Sequence, residues 1–349
     1  MPDSHGTFRF GLVGAGVAAE IHVAAMRSIP GVEVAAVADA DLARARALAT
    51  RHGIPEVYGT GDALITRAAI DAVAVLTPHH LHLPVVRAAA HAGRHVLVEK
   101  ALAHTLAAAD DLIEVCRTRG VTLAGVFQNR FTPAARALRD AVQEGTLGRV
   151  FLASVTVKEH RAARYYQDSP WRGRKAEAGG GVLMIQAIHM IDLLHWILGM
   201  PRRAVARTGT AVHAVEVEDV AIGLLEFEGG AIAAVQATTG AMPEQPPMVE
   251  IHGDRGTAAV SGSWGHLEFR LRTSPGAGDI PAAAVGTDPE ARRAHPSTEP
   301  YAEQIRDFVS AVREGRPPLV DGGEARKALV IVDALYRSAE IGQWVAVRP

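Results

Sequence analysis

The feature that most constrains this chain is the run Gly14-Ala15-Gly16-Val17-Ala18-Ala19, set between the apolar run Phe8–Val13 and a helical pattern over 18–28. A strand feeding directly into a helix through two glycines has the G-x-G-x-x-A form of a dinucleotide fingerprint. Gly14 makes the tight turn, Gly16 admits a pyrophosphate to the backbone, and Ala19 lets strand and helix pack closely. The N–H groups that open such a helix, those of Val17 and Ala18 among them, are free to hold the phosphates. A second strand, Val32–Ala38, ends at Asp39, 23 residues beyond Gly16. A carboxylate there accepts hydrogen bonds from the adenosine ribose hydroxyls and repels a 2′-phosphate, which favours NAD. NADP stays compatible, because Arg44 and Arg46 lie nearby, although they fall a turn or more into the next helix.

The alternation continues. Asp41 reads as the N-cap of a helix that stops at Gly53. Further β-rich runs at 71–76, 95–98 and 121–126 alternate with helices at 85–91 and 106–117. Such alternation predicts an α/β domain with a parallel, doubly wound sheet over residues 1–126. Residues 127–349 have a different texture. Strand-like runs at 149–159, 220–228 and 231–238, the last two joined through Gly229-Gly230, predict an α+β domain with an antiparallel sheet. The segment 274–300 reads as a loop or lid. Two helices, 301–314 and 324–341, close the chain, and the last is expected to pack back on the first domain.

Composition narrows the partners. In 349 residues, 36 Lys and Arg balance 38 Asp and Glu, for a net charge of -2. No nucleic acid and no anionic membrane is expected as a partner. The single cysteine, Cys116, excludes an internal disulfide, and no metal is expected at His79, His80 and His82, whose spacing lacks a fourth ligand. The first residues lack a basic head followed by an apolar run, so a cytoplasmic location is expected. The apolar stretch 182–198 carries Gln186, His189, Asp192 and His195, which argues against a membrane span.

The run LTPHHLHLPVVRAAAHAGRHVLVEKAL, residues 76–102, closely resembles the signature of the Gfo/Idh/MocA oxidoreductases, the glucose–fructose oxidoreductase and inositol dehydrogenase family. The resemblance covers nearly the whole chain, including Gly179-Gly180-Gly181 followed by His189 and Asp192. The section from Tyr165-Tyr166 through Trp171-Arg172-Gly173 looks most like the branch acting on sugars and nucleotide sugars. It implies a Rossmann domain followed by an open, mostly antiparallel sheet whose outer face makes a homodimer or homotetramer contact. It also implies that Thr77, His79, His82, Glu99 and Gln128 join the cofactor set.

The chemistry follows from residue type. Oxidising a secondary alcohol needs a hydride acceptor and a base for the hydroxyl proton. Lys100 ends a predicted parallel strand, and the chain has only four lysines against 32 arginines. Lysine can lose its proton when desolvated beside a cation; arginine cannot. His189 and Asp192, one turn apart on an apolar helix, can hold a sugar hydroxyl and relay its proton. Tyr165, Trp171 and Arg172 are candidate substrate contacts, by stacking and by an arginine fork. His22 also resembles a family position. Two positions depart from the pattern. Ala101 replaces the usual proline after Glu-Lys, and Ile185 replaces the usual Asp or Asn four residues before His189.

The expected activity is hydride transfer between a nicotinamide and a secondary alcohol of a sugar, polyol or sugar derivative, a small carbohydrate-like molecule. Two alternatives stay open: an NAD-recycling glycosidase or lyase working by transient C3 oxidation, and a non-catalytic NAD-sensing regulator.

Overall fold

A computed structural model describes residues 6–263, 265–273 and 297–348. These residues form two compact units. One runs to Phe127 and includes Thr298–Arg326; the other is Gln128–Ser297 with the chain from Lys327 onward. The second domain is therefore not the uninterrupted stretch 127–349 expected from the change in strand pattern. Helix Glu299–Glu314 packs against helix Val17–Arg27, and Phe308 sets its ring 6.4 Å from Phe8 and 5.9 Å from Phe10. Local periodicity finds that helix but does not say which core it fills. The expected lid, 274–300, lies largely outside the described residues.

In the first unit, strands β1 (Phe8–Val13), β2 (Val32–Ala38), β3 (Glu56–Tyr58), β4 (Ala72–Val75), β5 (His95–Val98) and β6 (Leu123–Gly125) form one sheet. Its order is β3-β2-β1-β4-β5-β6 and every pairing is parallel. The strands read as near-continuous apolar runs because helices cover both faces. Strand order reverses between β1 and β4. Ligands bind such sheets in the crevice beyond the carboxyl ends at that point. The local signals hold here: Asp41 accepts from Ala43 N–H and Arg44 N–H, and Gly53 ends its helix with φ +55°.

The second unit holds an eight-stranded sheet, adding β7 (Val150–His160), β8 (Pro201–Gly209), β9 (Val220–Phe227), β10 (Ile232–Thr238), β11 (Gly240–Gly253), β12 (Gly256–Ser263), β13 (His266–Thr273) and β14 (Val345–Ala346). The order is β13-β12-β11-β7-β10-β9-β8-β14, with β7–β10 as its one parallel pairing. Helices Pro133–Gln143 and Ile188–Leu198 pack on one face. The other face is bare of helices among the described residues. Along β10, buried Ala233, Val235 and Ala237 alternate with the outward Ile232, Ala234 and Gln236. Leu152 pairs with Ile232, while Leu224 and Ile222 pair with Ala234 and Gln236, so these exposed apolar residues share the bare face. The apolar segment Lys175–Leu198 is long enough to cross a membrane, but 83% of an 18-residue apolar window within it is buried inside the protein. It is a core helix.

Candidate active site

Gly14, Thr77 and Lys100 follow β1, β4 and β5, three adjacent parallel strands, and so lie at one edge of the first sheet. Gly14 has φ +107°, and a Cβ on it would come 2.6 Å from the Leu76 carbonyl oxygen. Only glycine fits there. Gly16 faces open space, and no side chain caps the N-terminus of Val17–Arg27, which leaves the first N–H groups for a ligand. The side-chain oxygen of Thr77 is buried with no hydrogen-bond partner. An uncapped helix start, an open glycine and an orphaned hydroxyl at a strand switch point fit a dinucleotide. Asp39 accepts from Ala15 N–H and Asp41 N–H, both at 2.8 Å, so it braces the glycine turn.

Around Lys100 the backbone is tied down. Glu99 takes the Lys100 N–H at 3.0 Å on one oxygen and His22 Nε2 at 2.9 Å on the other. His22 is buried and stacks edge-on to Tyr301 at 5.5 Å. Burial pushes the Tyr301 hydroxyl pKa far up, and the Glu99 charge adds to it. His22 thus acts through Glu99. Ala101 is fully buried, its N–H donated to His79 Nε2 at 3.3 Å, so that contact holds the loop where the family's proline ring is missing.

His82 corrects the sequence reading, which set it beside the nicotinamide. It is 0% exposed, with Nε2 2.9 Å from the Thr77 carbonyl oxygen and Nδ1 3.2 Å from that of Leu102. Burial pushes its pKa down despite those carbonyls. Neutral, it donates from one ring nitrogen only, and it is wedged between the loop after β4 and the loop after β5. His79, 3% exposed, likewise turns its ring to the backbone. Among the described residues no three His, Cys, Asp or Glu side chains converge as a metal would need.

In the second unit, His189 is half-buried near the start of helix Ile188–Leu198. The preceding turn, Leu183–Ala187, is π-helical, a form seen often at functional sites. A π-turn holds more residues than an α-turn, so buried Ile185 does not stand one regular α-helical turn before His189. Asp192 is a second correction. It is completely buried, and both oxygens bind Arg130, at 2.8 and 2.7 Å, with His195 Nε2 3.3 Å away. Desolvation opposes its charge, but the guanidinium and His195 outweigh it and hold the carboxyl below its ordinary range. Both of its oxygens are therefore engaged within the protein, tying Arg130 to the helix. Nothing in the local pattern reveals Arg130, whose partner lies 62 residues away. Trp196 adds a stacking surface for Arg130 at 5.6 Å and for Arg139 at 4.5 Å.

Glu218 was also missed. It receives Gly181 N–H at 2.8 Å, Leu183 N–H at 3.0 Å and the Tyr336 hydroxyl at 2.8 Å. Burial lifts its pKa against the pull of those donors. This carboxylate satisfies the orphan donors at the start of the helical run that leads to His189. It also explains the glycine triplet. A Cβ on Gly181 would lie 1.9 Å from the Glu218 carbonyl oxygen, and one on Gly180 would lie 2.0 Å from the Tyr336 hydroxyl.

Tyr165, Trp171 and Arg172 lie together. The Arg172 guanidinium sits 4.2 Å from the Tyr165 ring and 5.7 Å from that of Trp171, and Arg161 lies 5.4 Å from Tyr165. Gln186 donates to the Tyr165 hydroxyl at 3.1 Å. Gln128 is buried with its side-chain oxygen unpartnered.

Residues 8–127 match the oxidoreductase family with an NAD-binding Rossmann fold, and residues 135–259 match the GFO/IDH/MocA C-terminal domain. The chain is 28% identical to a D-apiose dehydrogenase of Paraburkholderia graminis, over 98% of this chain and 90% of that protein. It is 30% identical to an NADP(+)-dependent D-xylose 1-dehydrogenase of Haloferax volcanii, over 95% and 98% of the two chains. The WlbA dehydrogenase of Bordetella pertussis, solved with NADH and UDP-GlcNAcA, superposes with a TM-score of 0.85 at 26% identity, over 98% of this chain and 99% of that one. The fingerprint turn, the braced Lys100 and the matches over both parts of the sequence converge on one assignment: the chain belongs to the Gfo/Idh/MocA family of NAD-binding oxidoreductases.

Proposed function

We propose that this oxidoreductase interconverts a secondary alcohol of a sugar, polyol or sugar derivative with the corresponding carbonyl compound, using NAD in the cytoplasm. The observation that carries the reading is Lys100, the residue after β5 and Glu99, on the same sheet edge as the uncapped fingerprint helix. Bound there, the nicotinamide supplies the hydride acceptor or donor. Lys100 takes the hydroxyl proton at Nζ during oxidation and returns it during reduction. His189 orients the hydroxyl, its helix held in place by Glu218 at the start and by Arg130–Asp192 further on. Dehydrogenases of apiose and xylose among the relatives support a carbohydrate substrate. The test is to screen sugars, sugar acids and inositols for NADH formation. Product formed without net NADH would show instead an enzyme that recycles its cofactor within each turnover.

Asp39 sets cofactor choice in this reading. Asp39→Ser should erode the preference for NAD by about tenfold or more, because repulsion of a 2′-phosphate disappears. It should also weaken both cofactors, since Ala15 N–H loses its acceptor. Steady-state KM values for NAD and NADP check this; a wild-type protein that prefers NADP would refute it.

The bare face carrying Leu152, Ile222, Leu224 and Ile232 is proposed to bind a second copy of the chain. Burial of such a patch drives self-association. Ile222→Lys should shift sedimentation toward monomer, and a wild-type protein that sediments as monomer at micromolar concentration would rule the contact out.

A further inference from the structure

The segment 158–175 carries four arginines. Three of them are spoken for: Arg161 binds Glu159 and Glu244, Arg164 binds Asp168, and Arg174 binds Glu177. Arg172 alone among the four has no carboxylate among the described residues. Its one hydrogen bond is a long one, 3.4 Å, to the Tyr165 carbonyl oxygen. A guanidinium has five N–H donors, and it forms paired, parallel bonds to planar oxyanions. Here its central carbon sits 4.2 Å from the Tyr165 ring centroid, and the 3.4 Å bond to the Tyr165 carbonyl engages one of its five donors among the described residues.

The cradle is itself braced from the helix of His189. Gln186, one turn before His189, donates to the Tyr165 hydroxyl, so that hydroxyl keeps its own proton to give. The Gln186 side-chain oxygen is buried without a partner, which marks this corner as incompletely satisfied by the protein alone. Arg161 approaches the ring as well, but its charge is already matched by Glu159 and Glu244. At the helix position where relatives carry Asp or Asn, this chain has the buried Ile185. Selection among substrates then falls to groups outside that position.

We propose that Arg172, stacked on Tyr165 beside Trp171, is a specificity-determining subsite for an oxyanion, a carboxylate or a phosphate, carried by the sugar substrate. This rests on the sugar dehydrogenase reading but is testable apart from it. The Trp171 ring offers the sugar an apolar face while the guanidinium, seated on Tyr165, pairs with the anion.

The experiment measures binding first and turnover second. Galactose, galacturonate and galactose 6-phosphate are titrated into the protein with NADH bound, followed by calorimetry, and kcat/KM is then measured with NAD. One of the two anionic sugars should bind more tightly than galactose by roughly 10- to 100-fold, and the tighter one identifies the anion. Arg172→Gln should remove that advantage, Arg172→Lys should keep part of it, and Arg164→Gln should change nothing. Equal affinity for all three sugars, no binding of either anionic sugar, or an equal loss for all in Arg172→Gln would overturn the subsite. Selective binding without any chemical change in the bound sugar would support the subsite while ruling that sugar out as the substrate oxidised.

Discussion

Lys100→Ala should lower kcat/KM for alcohol oxidation by about 10²- to 10⁴-fold, the usual worth of a positioned proton acceptor. NAD affinity should stay within a few-fold, because the fingerprint turn, the uncapped helix start and Asp39 all lie elsewhere in the sequence. Fold stability should barely move. Lys100 is tied in by its backbone N–H on Glu99, and alanine keeps that bond. Arginine should not restore activity, since it cannot give up its proton at working pH. Added small primary amines should partly rescue the alanine variant. Stopped-flow traces of NADH formation, with NAD binding measured separately, decide the matter. Near wild-type turnover in Lys100→Ala with any good substrate would remove Lys100 from the mechanism.

The second large effect concerns stability. Arg130→Met leaves the wholly buried Asp192 carboxylate without its partner, at a cost of about 3–5 kcal/mol. For a chain of this size that is a drop in Tm of roughly 5–15 °C. The double variant Arg130→Met/Asp192→Leu should recover much of the loss, because a buried ion pair replaced whole by apolar groups costs little. The pH dependence has a definite sign. The Asp192 carboxyl is held below its ordinary range in the folded state, so its contribution is fully present above the unfolded pKa of about 3.9. It is lost as pH falls through the lower, folded value. The stability gap between wild type and Asp192→Asn should therefore be constant at neutral pH and shrink below about pH 4. Denaturant melts across that range test it; a gap that does not narrow on acidification would mean the pair carries no such linkage. The same variants should depress activity, since the pair fixes the helix that carries His189.

Residues 6–126 were largely legible because their signals are local. A strand that meets a helix through Gly14 and Gly16 has few backbone solutions, and Asp41 and Gly53 cap their helix through neighbours a few residues away. Lys100 stood out by chemistry and by its scarcity among cations. The second sheet was harder to see. Strands β8, β11, β12 and β13 went unread, since strand register depends on partners distant in sequence, and β11 carries Pro243, Pro246 and Pro247 within a strand. The same distance hid Arg130 from Asp192, Glu218 from Gly181 and Tyr336 from Glu218, pairs separated by 62, 37 and 118 residues. It also misassigned His82, whose type and motif suggested a ligand contact while its burial wedged it between two carbonyls. The sequence by itself determined the cofactor turn and the parallel sheet and singled out Lys100 as the candidate base, because each rests on short-range backbone geometry or on residue chemistry. Only the tertiary structure decided which charged groups are buried and spent on holding the site and which, like Arg172, keep donors to offer, because desolvation and pairing are properties of the packed chain.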